Sequence, residues 1–246
     1  MSELKINVVY EDSEVLVINK PAGLVVHGDG RTEETTLADW LVAQYPDIKE
    51  VGESWANQKG EAIMRHGIVH RLDRETSGVM VIAKTQESFV SLKEQFQKHL
   101  VQKTYHAFVY DTLKDDEGEI ERPIGKSKND FRKWSAQPGS RGVKREAYTA
   151  WERRGVAIDN EKKYSLVVLR PTTGRTHQLR VHLKAIHHPI VCDQLYAPNR
   201  ECALGFSRLA LHAHTLAFTT AEGKEMVCEA PFPKDFQKAL ERVDIA

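Results

Sequence analysis

The sequence predicts an α+β fold, with a mixed, mainly antiparallel central β-sheet flanked by helices and loops. Short apolar runs typical of strands outnumber the stripes typical of helices. The predicted helices are scattered among the strands, which favours an α+β arrangement over a regular strand-helix alternation. No linker-like segment divides the 246 residues. We therefore expect a single domain spanning residues 1–246.

The N-terminal residues predict a hairpin followed by a helix. Residues 6–10 and 15–19 are short strand-like runs separated by a polar segment. Thr36 can cap a helix that Pro46 ends, because threonine oxygens accept backbone N–H groups and proline cannot continue a helix. Residues 47–66 show no clear period and are expected to form a loop.

A polar block between two apolar runs is the first candidate site. Residues 68–85 begin and end with apolar segments that predict buried strands, and the polar residues between them form their connection. Asp73 lies in this block between Arg71 and Arg74. Neighbouring guanidinium groups favour the ionised carboxylate, which suits a nucleophile or a charge stabiliser. A structural loop held by salt bridges explains the same residues equally well.

The middle of the chain predicts one helix and three strands. Thr85 can cap a helix whose apolar stripe consists of Phe89, Leu92, Phe96 and Leu100. The predicted strands are residues 104–110, 146–152 and 164–169, with an acidic turn at residues 111–121 and a turn between the last two strands at residues 153–163.

Residues 122–145 form a local basic stretch in a chain of zero formal net charge. The stretch contains eight Lys or Arg residues and one acidic residue, with Phe131 and Trp134 among them. Because the whole chain carries no basic excess, any attraction for a polyanion must come from such a local patch. The stretch is therefore either a polyanion-binding surface or a solvated loop.

A second candidate site opens a helix after a tight connection at residues 171–176. The helix is expected at about residues 177–185, and a helix N-terminus favours anions because its first N–H groups lack partners. Arg175 precedes this end, and Gln178 and Arg180 lie near its first turn. The site suits a carboxylate or a phosphate. Alternatively, Arg175 only pins the loop to an acidic neighbour.

The C-terminal part predicts two strands and a helix. Residues 209–218 alternate around His212 and His214, and residues 224–229 can pair with them. Pro233 suits the first position of a helix that ends near Val243. Eleven histidines raise the question of a metal, but their spacing matches no zinc site, so hydrogen-bonded structural histidines are expected.

Cysteine content and hydropathy indicate the cellular compartment of the protein. The three cysteines form no CxxC motif, which predicts reduced thiols in a cytoplasmic protein. The N-terminus does not resemble a signal peptide, and no apolar run approaches the roughly 20 residues that span a bilayer. We expect no membrane association.

Several segments, in order, resemble the signatures of the RluA family of RNA pseudouridine synthases. They are residues 19–27 (NKPAGLVVH), 70–78 (HRLDRETSG), 103–105 (KTY), 173–183 (TGRTHQLRVHL) and 208–213 (RLALHA). The resemblance runs from roughly residue 6 to residue 232. It implies an isomerase that converts uridine in ribosomal or transfer RNA to pseudouridine without a cofactor or a metal. The separate N-terminal RNA-binding domain that many members carry is not expected here.

The resemblance also assigns roles to individual residues. Asp73 is the nucleophile or essential carboxylate, Arg175 pairs with it, and Tyr105 lies against the flipped base and takes part in proton removal. Leu179 forms the other wall of the base pocket.

Arg71 is expected to fill the space that the flipped base leaves, because guanidinium groups stack on bases. Alternatively, Arg71 is a partner for Asp73. The expected phosphate contacts are Arg74, Lys84, Gln178 and Arg180. The partner is the RNA substrate, and the protein is expected to be a monomer. Two other functions fit the residues less well: a catalytically inactive RNA-binding module, and a nucleoside or base hydrolase.

Overall fold

A computed structural model describes residues 5–28, 34–56, 62–138 and 140–244. Contacts within the chain divide it into two compact units, and each is described by itself. The first comprises Met1–Gln102 and Thr215–Pro231, and the second comprises Lys103–His214 and Phe232–Ala246. Within the described ranges, no helix is long and apolar enough to cross a membrane.

The described residues form strands and helices in the proportions of an α+β protein. The strands are β1 (Asn7–Glu11), β2 (Val15–Lys20), β3 (Ser54–Ala56), β4 (Ala62–Met64), β5 (Ser77–Ala83), β6 (Gln102–Tyr110), β7 (Glu117–Glu121), β8 (Ile124–Lys126), β9 (Trp134–Ser135), β10 (Arg141–Arg145), β11 (Tyr148–Asp159), β12 (Lys162–Pro171), β13 (Leu211–Thr219), β14 (Glu225–Glu229) and β15 (Val243–Asp244). The helices are α1 (Leu37–Gln44), α2 (Gln86–Gln97), α3 (Gln178–Ala185) and α4 (Lys234–Leu240), with a 3₁₀ helix at Pro46–Glu50.

Antiparallel strands form the core of the first unit. β2 pairs with β1 on one side and with β5 on the other, and β13 pairs with β14. Every residue of β5 is buried, as are the first four residues of β2. The predicted N-terminal hairpin is confirmed. Since β2 and β5 are apolar on both faces, they form a fixed support for the polar turn that precedes Ser77.

Side-chain caps begin both helices of the first unit where the sequence predicts them. Thr36 and Asp39 form a reciprocal capping box at α1, and the Thr85 side chain accepts the Ser88 N–H at α2. The predicted stripe on α2 is wrong at its end. Leu100 lies beyond the helix and is 62% exposed, because His99 adopts a left-handed backbone conformation and the helix has ended.

Two other expectations for the first unit are corrected. Residues 47–66 contain the 3₁₀ helix and the β3–β4 hairpin, although residues 57–61 lie outside the described part. The apolar run at Ile68 is not a strand. Ile68 makes only an isolated bridge to Ile82, because its own N–H donates to the Arg65 carbonyl in a turn, at 3.0 Å.

The second unit contains the longest hairpin. β12 pairs with β6 and β11, and β11 also pairs with β7 and β15, all antiparallel. The predicted turn at residues 153–163 is wrong, since β11 and β12 continue through most of it and only Asn160 and Glu161 turn, both with positive φ. The predicted acidic turn at residues 111–121 likewise contains β7.

The remaining elements of the second unit include the basic stretch and the last two helices. Strands β10, β8 and β9 form a small three-stranded sheet, in that order. α3 begins at Gln178, as predicted. Pro233 is the N-cap of α4 rather than its first residue, and α4 ends at Leu240 before β15. The α+β fold with mainly antiparallel strands is confirmed.

The prediction of reduced cysteines is contradicted at two positions. Cys192 and Cys202 are joined by a disulfide, with their Cα atoms 4.6 Å apart. The two residues are ten positions apart and form no CxxC motif, but the folded loop brings them together. Cys228 is a free, buried thiol.

Candidate active site

Asp73 lies in a tight turn that leads directly into β5. Its carbonyl accepts the Thr76 N–H at 3.1 Å, and β5 starts one residue later at Ser77. Thr76 and Ser77 are buried, whereas Asp73 is half-buried. The turn therefore holds a carboxylate at the surface of a rigid strand, which suits a group that must keep a fixed position.

A buried lysine supports this turn from the N-terminal hairpin. Lys20 is fully buried, and its Nζ donates to the carbonyls of Pro21, Leu24 and Arg74 at 2.8, 2.9 and 3.1 Å. The Gly23 N–H also donates to the Arg74 carbonyl, at 2.9 Å. The residue after Asp73 is thus fixed to the end of β2. The sequence signal that could have revealed this role is a lysine that ends an apolar strand.

The two arginines beside Asp73 differ in their partners. The Arg74 guanidinium forms a two-pronged ion pair with Glu34, so a phosphate would have to compete with that carboxylate. Arg71 is exposed, and among the described residues no carboxylate pairs with it. Burial and the charges of Arg71 and Arg65 lower the pKa of His27 to about 4. Arg71 thus contributes positive potential without a local counter-ion.

Two neighbouring polar side chains are already engaged inside the first unit. His70 stacks on Phe96, and its Nε2 accepts the Val81 N–H at 3.1 Å. Lys84 binds Glu11 and the Asp12 carbonyl, at 2.7 and 2.6 Å. This ion pair does not favour the predicted phosphate contact of Lys84.

In the second unit, the start of β6 carries Lys103 and Tyr105. Lys103 donates to the Thr173 carbonyl at 3.2 Å, and its burial lowers its pKa to about 8. Tyr105 is half-buried and packs on the apolar cluster that contains Leu179, which is 7% exposed. The structure therefore brings Tyr105 and Leu179 to the same apolar cluster.

Gln178 organises the loop that precedes α3. Its Oε1 accepts the Thr173 hydroxyl at 2.7 Å and the Arg175 N–H at 3.0 Å. Its Nε2 donates to the Tyr148 carbonyl and the Thr149 hydroxyl, at 2.9 and 3.1 Å. Both ends of the amide are used inside the protein, and the residue is buried. This burial favours a positioning role for Gln178 in place of the predicted phosphate contact.

Arg175 is half-buried at the end of this loop. Its Nε donates to the Glu146 carbonyl at 3.0 Å. Within the described part of the chain, no ion pair with a carboxylate is formed by Arg175. A backbone carbonyl thus binds the Arg175 guanidinium, and no acidic side chain among the described residues of the second unit neutralises its charge.

Arg180 is held far more tightly than a typical surface arginine. Its Nε and Nη2 each lie 2.8 Å from a carboxylate oxygen of Asp193, whose side chain is fully buried. Asp193 also accepts the N–H groups of Leu195 and Tyr196, and the Arg180 guanidinium lies 5.0 Å from the centre of the Tyr196 ring. Asp193 and Tyr196 were not singled out in the sequence, since only folding brings them to Arg180.

The histidines near this site serve as structural groups. His182 is buried between Thr149 and the Arg122 carbonyl, with contacts of 2.9 and 3.0 Å, and burial lowers its pKa. Among the described residues, no group of three or more His, Cys, Asp or Glu side chains could hold a metal ion.

The predicted site residues divide between the two units. Asp73, Arg71 and Arg74 lie in the first, and Tyr105, Arg175, Gln178, Leu179 and Arg180 lie in the second. In the first unit they lie in the turn at Asp73. In the second, Arg175 lies in the loop before α3, Gln178, Leu179 and Arg180 lie in the first turn of α3, and Tyr105 lies on β6.

Comparison with known proteins identifies the family. Residues 14–185 match the sequence model of the RNA pseudouridylate synthase family. The chain belongs to this family. The synthase is 34% identical over 238 residues to an uncharacterized RNA pseudouridine synthase of Synechocystis, covering 96% of this chain and 68% of the relative. It is 36% identical over 253 residues to the ribosomal large subunit pseudouridine synthase D of Neisseria meningitidis, covering 96% of this chain and 61% of the relative.

Solved structures agree with this assignment. The synthase matches human RNA pseudouridylate synthase domain containing 1 with a TM-score of 0.73 and 26% identity, over 93% of this chain and 84% of the human chain. The match to human RNA pseudouridylate synthase domain containing 4 has a TM-score of 0.71 and 26% identity, over 97% and 94% of the two chains. The resemblance to the RluA family is confirmed, and the protein is an isomerase that acts on RNA.

Proposed function

We propose that the synthase converts specific uridines of ribosomal or transfer RNA to pseudouridine, with Asp73 as the essential carboxylate. The observation that carries this proposal is the turn at Asp73, where a half-buried carboxylate is fixed between β5 and the buried Lys20. Relatives named ribosomal large subunit pseudouridine synthase D favour ribosomal RNA as the substrate.

The reaction needs no electron transfer and no added group. The N1–C1′ bond of uridine breaks, the base turns, and C5 bonds to C1′. The proton on C5 leaves to solvent or a base, and N1 takes up a proton. Two roles for Asp73 satisfy this balance: attack on C1′, and removal of the proton at C2′. Both need the ionised carboxylate, and the cationic Arg175 would favour that form.

Tyr105 and Leu179 suit the recognition of a pyrimidine. Both belong to one apolar cluster, and Tyr105 is half-buried with a phenol that can exchange a proton. We assign Tyr105 to contact with the flipped base and to removal of the C5 proton. Leu179 is assigned to the opposite wall of the base pocket.

A stacked uridine is out of reach of any carboxylate, so the nucleotide must leave its stack. Exposed Arg71 has no carboxylate partner among the described residues, and its guanidinium can occupy the vacated space. Arg74 and Arg180 are assigned to phosphate contacts, in which the RNA competes with Glu34 at Arg74 and with Asp193 at Arg180.

The small sheet of β8, β9 and β10 is a second RNA-binding surface in this proposal. All five residues of β10 are exposed, and within the described chain its three cations form no ion pair. Phe131 and Val143 are 81% and 83% exposed beside them. Exposed cations combined with exposed apolar groups match a nucleic acid, which offers both phosphates and base faces.

We further propose that the two units together form one catalytic domain, which acts as a monomer in the cytoplasm. The family assignment supports this reading, because the matched residues 14–185 include parts of both units.

The most informative experiment is pseudouridine mapping of total RNA from cells with and without this gene. A uridine that is modified only when the gene is present identifies the substrate. Purified synthase should then convert that uridine in a transcript without releasing free uracil. Release of uracil would indicate the hydrolase, and binding without conversion would indicate an inactive RNA-binding module.

The two arginines of the α3 segment can be separated by kinetics. Arg175→Met should lower kcat, because it removes the proposed partner of Asp73. Arg180→Met should raise KM for RNA more than it lowers kcat. Loss of kcat in Arg180→Met alone would give the pairing role to Arg180 instead.

A further inference from the structure

We propose that Cys192 and Cys202 are a reversible thiol–disulfide pair that fastens the loop between them onto α3. The two sulfurs are bonded in the structure, and the Cα atoms lie 4.6 Å apart. This separation lies within the range that a disulfide spans without backbone movement. The pair lies entirely within the second unit, and it is a site of oxidation beyond the isomerase activity.

The backbone at Cys192 favours a residue without a side chain. Cys192 has a φ of 61°, in the left-handed region where glycine is the unstrained choice. The chain nevertheless holds a thiol at this position, buried and within bonding distance of a second thiol ten positions away.

Tyr110 keeps the two cysteines close even when they are not bonded. Its hydroxyl accepts the Cys192 N–H at 3.1 Å and donates to the Glu201 carbonyl at 2.7 Å. One side chain thus pins the residue at one end of the loop and the residue next to its other end. Such a restraint raises the effective concentration of one thiol near the other.

The two thiols differ in access to solvent. Cys202 is exposed, and Gln194 Nε2 lies 3.6 Å from its sulfur, whereas Cys192 is buried. An oxidant therefore meets Cys202 first. Cys192 then acts as the resolving thiol, because it lies within bonding reach of the Cys202 sulfur.

The loop carries the groups that hold the N-terminal half of α3. Asp193, next to Cys192, binds Arg180. Tyr196 Oη lies 2.9 Å from His177 Nδ1 and accepts the Trp134 N–H at 2.9 Å. Closing the disulfide removes freedom from the segment that supplies both contacts. Oxidation should therefore stabilise this part of the second unit.

The chemical step balances with a small-molecule disulfide such as glutathione disulfide as the oxidant. The Cys202 thiolate attacks one sulfur of the oxidant and releases one glutathione thiol. The Cys192 thiolate then attacks the mixed disulfide at the Cys202 sulfur and releases the second. Two cysteine thiols lose two electrons, which reduce the oxidant, and their two protons pass to the released thiols. A reducing environment returns the pair to thiols by the reverse exchange.

Equilibration of the purified full chain in buffers of varied glutathione ratio tests this inference. Thiols are alkylated and mapped by mass spectrometry, and Tm is measured on the same samples. We expect a linked peptide containing Cys192 and Cys202 in oxidising buffer, and a Tm about 5 °C higher than in reducing buffer. Amide hydrogen exchange at residues 193–196 should also slow on oxidation.

Matched variants separate this pair from the third cysteine. Cys202→Ser replaces an exposed residue and should abolish both the linked peptide and the Tm shift, whereas Cys228→Ser should keep both. Full alkylation of Cys192 and Cys202 at every ratio would overturn the inference, as would an equal Tm in the two buffers. These readouts do not use turnover, so their failure is distinct from a failure of the proposed isomerase function.

Discussion

The side chain of Gln178 fixes the backbone at Arg175. Its Oε1 accepts the Arg175 N–H at 3.0 Å and the Thr173 hydroxyl at 2.7 Å, while its Nε2 reaches the Tyr148 carbonyl at 2.9 Å. A single buried amide therefore ties the loop before α3 to β11. The position of Arg175 depends on a residue that does not itself need to touch RNA.

Gln178→Leu should disconnect this loop at nearly constant side-chain volume. We expect a loss of about 1–3 kcal/mol in the free energy of unfolding, because buried partners lose their hydrogen bonds. We also expect kcat to fall by about tenfold or more, since misplaced groups lose their reactive geometry. Chemical denaturation and single-turnover assays measure the two effects.

A matched glutamine in the first unit provides the control. Gln95 also bridges backbone groups, because its Nε2 donates to the Thr219 carbonyl at 2.7 Å and its Oε1 accepts the Thr219 N–H at 2.9 Å. Gln95→Leu should lose comparable stability with little change in kcat. Equal losses of kcat in the two variants would show that Gln178 acts only through stability.

Lys103→Met should raise stability near neutral pH and lower turnover. Burial depresses the pKa of Lys103 to about 8, so the folded state disfavours its proton. The charged, buried Lys103 therefore destabilises the folded state, and this destabilisation is fully present below pH 8. It disappears as pH rises toward 10.5, the pKa of an unperturbed lysine. At pH 7 the variant should gain roughly 2 kcal/mol in the free energy of unfolding, allowing for one lost hydrogen bond.

Turnover should fall in the same variant, because the Thr173 carbonyl loses its Lys103 donor and the loop that carries Arg175 loosens. Denaturation at pH 7 and pH 10 and a kcat measurement check both effects. A stability difference that does not change with pH would contradict the assigned cause.

In the variant His106→Phe, the free energy of unfolding should depend less on pH in acidic solution. Burial and then the charges of His214 and His212 lower the pKa of His106 to about 3. In the unfolded state His106 takes up its proton near pH 6.5, whereas in the folded state it does so only near pH 3. The contribution of the neutral His106 ring to the free energy of unfolding is therefore complete above pH 6.5 and is lost as pH falls toward 3. The slope from this residue is at most about 1.4 kcal/mol per pH unit.

Phenylalanine keeps the edge-to-face packing of this ring on Phe232, where the centroids lie 5.0 Å apart. Denaturation curves between pH 7 and pH 5 should therefore show a smaller slope for the variant than for the wild type. An unchanged slope would mean that His106 does not titrate differently on unfolding.

Removing the three cations of β10 should weaken RNA binding in a salt-dependent way. With Arg141, Lys144 and Arg145 replaced by Gln, the slope of log K against log salt should shrink by about 2, if each cation contacts one phosphate. Fluorescence anisotropy with a labelled RNA over a salt series measures this slope. A control that replaces exposed Lys98 and Lys238 should leave it nearly unchanged. Equal slopes for the β10 variant and the wild type would remove β10 from the RNA-binding surface.

Local signals in the sequence predicted the elements whose ends are set by local chemistry. Thr36 and Thr85 cap helices because their side-chain oxygens reach backbone N–H groups three residues later. Periodicity failed at Leu100, since the left-handed His99 ends the stripe and no spacing rule detects that change. The charged residues at 153–163 resemble a turn, yet most of them lie on the two strands of the long β11–β12 hairpin, and only Asn160 and Glu161 turn.

The candidate site shows the same difference between features that local sequence predicts and features that depend on the folded chain. Short motifs predict Asp73, Tyr105 and Arg175 as site residues, whereas the residues that hold the neighbouring loops are distant in sequence. Lys20 reaches the Arg74 carbonyl across 54 positions, and Asp193 reaches Arg180 across 13. The Cys192–Cys202 disulfide likewise follows from the shape of a loop. Such contacts depend on tertiary packing, which neither composition nor spacing encodes.

The most direct test of the proposed mechanism is single-turnover pseudouridine formation by Asp73→Asn on the RNA identified by mapping. Glu75→Gln, which changes the carboxylate two positions away, is the matched control. We expect conversion by Asp73→Asn to fall below detection while RNA affinity and Tm stay near those of the wild type, and Glu75→Gln to retain activity. Conversion by Asp73→Asn at the wild-type rate would contradict the assignment of Asp73 as the essential carboxylate.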